Sequence, residues 1–287
     1  ARAVVQINHG LAEHAARYAR FADFLSGYGS HVYAHDHRGH GYTKAPDAPQ
    51  GKYGAPDGGQ KVIADIAALY DLIGKEHPGL PVIAFGHSMG AIITLNFLFK
   101  HSARVQAAAI FNGNVSAGLL GRLAQAILAW ERFRLGSDMP SRILPKLTFQ
   151  DWGRKVPNHR TLFDWLSRDP AEVDKYIADP LCGWDASVSL WQDLFGFVFA
   201  GADDGNFATA RRDLPVYLVG GEKDPATDGG KAVQKLASRM KALGFSNLDS
   251  RIYAETRHES LNEVNRDAVM DDFVAWANRI FPLKNPT

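Results

Sequence analysis

The chain has a single cysteine, Cys182, among 287 residues. One thiol excludes an intramolecular disulfide and suits a reducing compartment. An excess of charge is lacking too: 32 Lys and Arg stand against 31 Asp and Glu, a net charge of +1. Without a Lys- or Arg-dense tract, the sequence has no electrostatic footprint of a nucleic-acid binder. No apolar run reaches the roughly 18 residues of a membrane-spanning helix. No charged start followed by an apolar signal segment is visible, nor any internal repeat or low-complexity tract. With 46% hydrophobic and 22% charged residues, the composition is that of a globular cytoplasmic protein. The length allows one large domain or two small ones, with a sizeable core.

What is present is alternation. "AVVQINHG" (3–10), "SHVYAHD" (30–36), "LPVIAFG" (80–86) and "VQAAAIFNG" (105–113) are short apolar runs bounded by turn residues and read as buried strands. Between them, 17–29, 61–79 and 89–102 carry apolar residues at helical spacing. The pattern breaks from about 115 to 207, where helical segments such as 119–136 and 161–180 replace strands. It resumes with strands at 214–221 and 248–255 and helices at 229–244 and 262–281. Strand and helix in turn predict βαβ units and a mostly parallel sheet with helices on both faces. The expected organisation is an α/β core from 1–114 and 208–287, interrupted by a helical cap over 115–207.

Gly86-His87-Ser88-Met89-Gly90 lies where the third strand passes into a helix. G-x-S-x-G in that context is a nucleophile elbow. The turn is sharp enough that side chains two residues either side of the serine would collide, and the serine is held in a strained conformation that lifts its hydroxyl clear of the sheet. The following helix N-terminus offers positive dipole to developing negative charge. The bland alternative is an incidental serine in a glycine-rich turn.

A serine hydroxyl is a weak nucleophile and needs a base oriented by a third group. In this architecture acid and histidine follow the serine, each on a loop after a later strand. Asp224 follows 214–221, and Pro225 leaves its carboxylate in a turn; Glu222 and Asp228 are its acidic neighbours. His258 is the only histidine, of eleven, after the last predicted strand. Backbone N–H donors for an oxyanion are expected from Met89 and from the loop "NHGLAEH" (8–14), at Leu11.

"HGLAEHAARYARFADFL", "DHRGHG", "GHSMGA", "GGEKDPATDGG" and "TRHESLNE" together resemble the α/β-hydrolase fold, and more narrowly the monoacylglycerol lipase and lysophospholipase group filed under the serine aminopeptidase heading. The segment 163–184 is similar to bacterial members known as lysophospholipases. The resemblance covers nearly the whole chain. It implies a Ser88-Asp224-His258 triad, an oxyanion hole at Leu11 and Met89, no cofactor, and a lipid monoester as substrate. Members usually carry two further strands ahead of the one ending in His-Gly, so the resemblance implies strands preceding Ala1. His35 occupies a place often taken by proline.

The cap is expected to set substrate choice. Five of the six tryptophans lie in it, at 130, 152, 165, 184 and 191. His87, Trp130, Trp184 and Trp191 are the candidate substrate contacts, although most such aromatics simply hold cap helices together. An acyl chain gains about 0.8 kcal/mol per buried methylene, so about eight more methylenes would add about 6 kcal/mol. Residues 119–136 carry leucines, Ile127 and Trp130 along one side. Such a helix either packs as an ordinary amphipathic cap element or rests on a lipid surface, which would make the protein peripheral to the inner membrane. Phospholipase A, short-chain carboxylesterase, thioesterase and acyltransferase activities remain open. A dehalogenase would want aspartate in place of Ser88. A non-catalytic ligand-binding scaffold is the reading from another class, and such scaffolds usually lose a triad member. Oligomeric state is not legible.

"HDHRGHG" (35–41) places three histidines and an aspartate close together. On a strand, neighbouring side chains point to opposite faces, so no shared metal is expected; Asp36 and Arg38 are expected to tie down loops. Cys182 is expected to be a packed thiol, and Glu13 and His14 to shape the loop before them.

Overall fold

The structure, a computed structural model, describes residues 1–282. Six strands form one parallel sheet: β1 (Ala3–Asn8), β2 (Ser30–Ala34), β3 (Val82–His87), β4 (Ala107–Phe111), β5 (Val216–Gly221) and β6 (Leu248–Tyr253). Their order across the sheet is β2-β1-β3-β4-β5-β6 and every pairing is parallel. The alternation of apolar runs and helical periodicity therefore places the strands within one or two residues of the sequence reading.

The two faces of the sheet carry different helices. Val5, Ile7 and Phe85 point to the side covered by α1 (Ala19–Gly27) and by α10 (Arg266–Ile280), through Phe21, Leu25, Phe273 and Trp276. Val4, Ala84 and Ala108 point to the other side, under α2 (Gly58–Glu76), α3 (Met89–His101) and α9 (Lys231–Ala242). Side chains alternate along a strand, so these continuous apolar runs feed both cores at once.

Helices α4 (Gly118–Leu135), α5 (Leu144–Leu147), α6 (Phe149–Lys155), α7 (Pro170–Ala178) and α8 (Val188–Ala202) all fall between β4 and β5. Helix α8 carries this group on the core, packing on α2 and α3 and receiving α4. Two sequence expectations are corrected here. The single helix anticipated over 161–180 begins only at Pro170, where Asp169 accepts the Ala171 amide at 3.1 Å and proline occupies the first turn. Helix α4 is not an ordinary amphipathic element. Leu119, Leu120 and Phe133 are more than 80% exposed, whereas Glu131 is buried and accepts Ser141 Oγ at 2.6 Å and the Arg142 amide at 2.8 Å. Gly121, Ala124 and Leu128 complete its inward side. A buried carboxylate satisfied by nearby donors can hold the inward position that an apolar residue would otherwise take.

The strand order changes direction between β1 and β3. Chain connections run outward to β2 on one side and to β4, β5 and β6 on the other. In open α/β sheets the crevice beyond the carboxyl ends of the strands at such a point receives ligands. The loop after β1 and the β3–α3 turn meet there.

Candidate active site

Ser88 joins β3 to α3 with φ 54° and ψ −117°. A non-glycine residue at positive φ costs free energy and persists only where its surroundings impose it. Close packing does so here. A Cβ on Gly86 would lie 2.2 Å from the Gly90 carbonyl oxygen, and one on Gly90 would lie 2.0 Å from the Asn8 carbonyl oxygen. The two glycines of the pentapeptide thus let α3 press against β1 and β3. Met89 is the first residue of α3, and Leu11 lies in the loop after β1; both line one cavity with Ser88. Among the described residues, neither the Met89 nor the Leu11 amide donates to an acceptor within the protein. Two uncommitted donors beside a serine hydroxyl match the requirement for binding a developing oxyanion.

His258 faces the same cavity. Its Nδ1 lies 3.0 Å from each Asp224 oxygen, and both side chains are almost wholly buried. Asp224 also accepts Asn112 Nδ2 at 3.0 Å, Thr227 Oγ1 at 2.8 Å and the Ala226 amide at 2.9 Å. Burial pushes the Asp224 carboxyl up, but the His258 charge and these donors outweigh it and hold the pKa below the usual aspartate value. Burial pushes the His258 imidazole down, and the adjacent carboxylate more than offsets that, leaving it above 6.5. No hydrogen bond joins Ser88 to His258.

Trp165, from the turn between α6 and α7, packs on His258 with ring centroids 4.8 Å apart, and His87 lies on His258 at 4.9 Å. Burial and the His258 charge push His87 down to about 4, so it packs there as a neutral ring. The loop that carries Leu11 is fixed from within. Glu13 accepts the Gly10 amide, Tyr18 Oη at 2.8 Å and Arg17 at 2.6 Å, and Arg17 also grips Glu259 through both terminal nitrogens. One guanidinium thereby ties the loop carrying Leu11 to the residue next to His258.

A family model described as serine aminopeptidase, S33, matches residues 1–265. The chain belongs to the serine aminopeptidase S33 family. Among relatives, this S33 chain is 29% identical to the monoacylglycerol lipase of Mycolicibacterium smegmatis over 96% of its own length and 88% of that protein. It is 29% identical to human monoglyceride lipase over 97% of its length and 83% of that protein. Among solved structures, a thermostable carboxyl esterase from Bacillus coagulans with bound glycerol superposes with a TM-score of 0.89 at 23% identity, covering 98% of this chain and 90% of that one. The likeness establishes the α/β-hydrolase fold.

In this S33-family chain the Ser88 cavity holds about 730 Å³ of empty space, part of it open to solvent. Leu11 and Ile92 line it from the core; Phe149, Trp152, Trp191 and Phe195 line it from the inserted helices. Of the aromatic candidates, Trp191 is on the wall. Trp130 is outside, half exposed on α4 under the Arg134 guanidinium at 5.3 Å. Trp184 is outside as well, packed on His40 at 4.8 Å with its Nε1 donating to the Leu181 carbonyl. His87 lines a small recess beside Ser88 and His258 rather than the main cavity. Sequence reasoning did not single out Phe149 or Asn112, and it counted Trp152 among the tryptophans of the inserted region without choosing it as a substrate contact. Asn112 carried a signal: it is an asparagine directly after the buried strand β4, a residue type that tolerates the φ of 54° found there.

The histidine-rich stretch needs a different reason from the one expected. Strand β2 ends at Ala34, so residues 35–41 do not alternate. The His35, His37 and His40 rings gather with His9, at centroid separations of 4.5 to 5.1 Å for His9 with His37 and with His40. Among the described residues, their nitrogens do not come together as a tight group of potential metal ligands. Asp36 does tie down loops, accepting the Ala15 and Tyr42 amides at 2.8 Å, and Arg38 pairs with Asp65.

Proposed function

We propose that the chain hydrolyses neutral lipid monoesters of the monoacylglycerol class through an acyl-enzyme on Ser88. The observation that carries this reading is a strained serine opening on the same apolar cavity as a histidine whose far nitrogen is held by a buried carboxylate. His258 Nε2 takes the Ser88 proton as Oγ attacks the ester carbonyl. Asp224 keeps Nδ1 protonated and stabilises the imidazolium. The Leu11 and Met89 amides receive the oxyanion. The alcohol leaves with the proton from His258, and water repeats the sequence to release the acid.

The helices over 115–207 act as a cap that supplies the acyl-chain wall. Each methylene buried against Phe149, Trp152 or Phe195 contributes about 0.8 kcal/mol. Polar groups of Asn114, Ser116 and Thr148 line the same cavity and suit a glycerol headgroup. No Lys or Arg is among the residues lining it, which favours an uncharged headgroup over the phosphate of a lysophospholipid. Leu119, Leu120, Leu123 and Phe133 stand exposed on α4 beside exposed Arg122; they suit insertion at a lipid surface and peripheral membrane association. No helix among the described residues is long and apolar enough to cross a membrane.

The test pairs a fluorophosphonate probe with a substrate panel. The probe labels the wild type and not Ser88→Ala; equal labelling of both would remove Ser88 from the mechanism. Higher kcat/KM on a long-chain monoacylglycerol than on the matched lysophosphatidylcholine or on an acetate ester supports the substrate class. A preference for acetate would point to a small-ester esterase, and one for the lysophospholipid to a charged headgroup.

A further inference from the structure

His14, Asp179 and Cys182 bring an imidazole, a carboxylate and a thiol together outside the residues that line the Ser88 cavity. His14 Nε2 lies 2.7 Å from Asp179 Oδ2, and the three potential ligand atoms all fall within 4.8 Å of one another. The chain presents them from two separate regions. His14 follows the loop after β1, whereas Asp179 directly follows α7 and Cys182 is three residues on. The turn joining the latter two is fixed: the Cys182 amide donates to the Asp179 carbonyl at 3.0 Å, and the Leu181 amide occupies Asp179 Oδ1 at 2.9 Å. Oδ2 is left for His14.

These distances suit a small tetrahedral ion. Bond lengths of about 2.0 to 2.3 Å to N, O and S place neighbouring ligand atoms about 3.3 to 3.7 Å apart. The His14–Asp179 pair would open by roughly half an ångström and the sulfur would close by up to about one, movements within reach of side-chain torsions. His14 and Asp179 line a cleft open to solvent, which gives an ion its route in and water its place as a fourth ligand. The nearby Arg17 charge is already met by Glu13 and Glu259. A mixed N, O and S donor set selects zinc-class ions over the hard, oxygen-seeking magnesium and calcium.

We propose that His14 Nε2, Asp179 Oδ2 and the Cys182 thiolate form a binding site for a borderline divalent cation of the zinc class, completed by solvent. Binding releases the thiol proton to solvent, and the imidazole ligates as the neutral ring with its proton on Nδ1. The ion ties the Leu11 loop to α7. It does so beside Ala12, whose carbonyl already accepts Tyr176 Oη and the Gly183 amide, each at 2.9 Å.

The experiment adds cobalt(II) to the reduced, metal-free full chain. Cys182 is the only cysteine, so a near-ultraviolet sulfur-to-cobalt charge-transfer band can arise from no other residue. The band is expected to saturate at one ion per chain, to be displaced by zinc, and to vanish in Cys182→Ser. Zinc at a hundredfold excess over Kd is expected to raise Tm by about 5 °C. Asp179→Asn and His14→Gln should each weaken cobalt binding at least about tenfold. Asp179 is partly exposed, so its variant keeps the test open should Cys182→Ser fail to fold. Absence of the band, an unchanged Tm with zinc, or wild-type cobalt affinity in both Asp179→Asn and His14→Gln would overturn the site.

Discussion

Tyr176 Oη donates a 2.9 Å hydrogen bond to the Ala12 carbonyl, and so a helix inserted between β4 and β5 holds the loop that presents Leu11. Ala12 sits at φ 54°, a conformation that an alanine keeps only under external restraint. The Arg17 guanidinium lies over the same tyrosine ring at 4.9 Å. The geometry proposed for oxyanion binding thus depends on residues far from it in sequence.

Tyr176→Phe removes that hydroxyl and keeps the ring. Removing one buried neutral hydrogen bond costs about 1 kcal/mol, so kcat is expected to fall roughly three- to tenfold with a smaller change in KM. Steady-state kinetics on a soluble p-nitrophenyl ester measures this. An unchanged kcat would show that the Gly183 amide alone fixes Ala12.

Asn112 donates to Asp224 Oδ2 and accepts Ser260 Oγ at 2.9 Å. Asn112→Gly deletes the amide without adding backbone strain, because glycine tolerates the positive φ found there. A hydrogen bond to a charged group contributes about 1.5 to 3 kcal/mol. The expected drop in kcat is therefore about ten- to a hundredfold, read with the same ester. Wild-type turnover would mean that Thr227 and Ala226 suffice to hold the carboxylate.

In the proposed mechanism His258 must be neutral to accept the Ser88 proton, and the adjacent Asp224 carboxylate raises its pKa above the ordinary 6.5. The acid limb of kcat/KM against pH should therefore have its midpoint above 6.5 on an uncharged ester. In Asp224→Asn the carboxylate that raises it is gone, and the residual limb should move down. A limb near pH 5 in the wild type would contradict the pairing.

Burial is the largest cause holding His35 down to about 4 and His40 to about 3, and His9 and His37 are lowered by burial too. The unfolded rings, near 6.5, bind protons more readily than the folded ones. The stability these groups supply is full above pH 6.5 and is lost as pH falls toward about 3 to 4, on the order of 1 kcal/mol per ring per pH unit. His258 runs the other way: its raised pKa gives a contribution full below 6.5 and lost only as pH rises, so it does not mask the acid loss. Thermal melts from pH 7 to 4 should show a falling Tm, with a shallower fall in His40→Phe. Parallel curves for the two proteins would exclude the cluster as the source.

The elbow at Ser88, the order of strands and helices, and the positions of Asp224 and His258 were determined by sequence alone. Each rests on local physics: apolar period, turn residues, and glycines where a backbone presses within 2.2 Å of a would-be Cβ. Tertiary structure decided which aromatic side chains meet the cavity and which residues support the pair. Trp130 and Trp152 belong to the same aromatic-rich region, yet one faces solvent and the other lines the Ser88 cavity. The inward side of α4 joins Leu128 and Ala124 to Glu131, whose carboxylate is satisfied by Ser141 and Arg142, while four of the helix's other apolar side chains, Leu119, Leu120, Leu123 and Phe133, face out. Asn112 reaches Asp224 across 112 positions of sequence, and Trp165 reaches His258 across 93. Contacts of that span follow from the packing of several elements at once, which no local pattern of residues encodes.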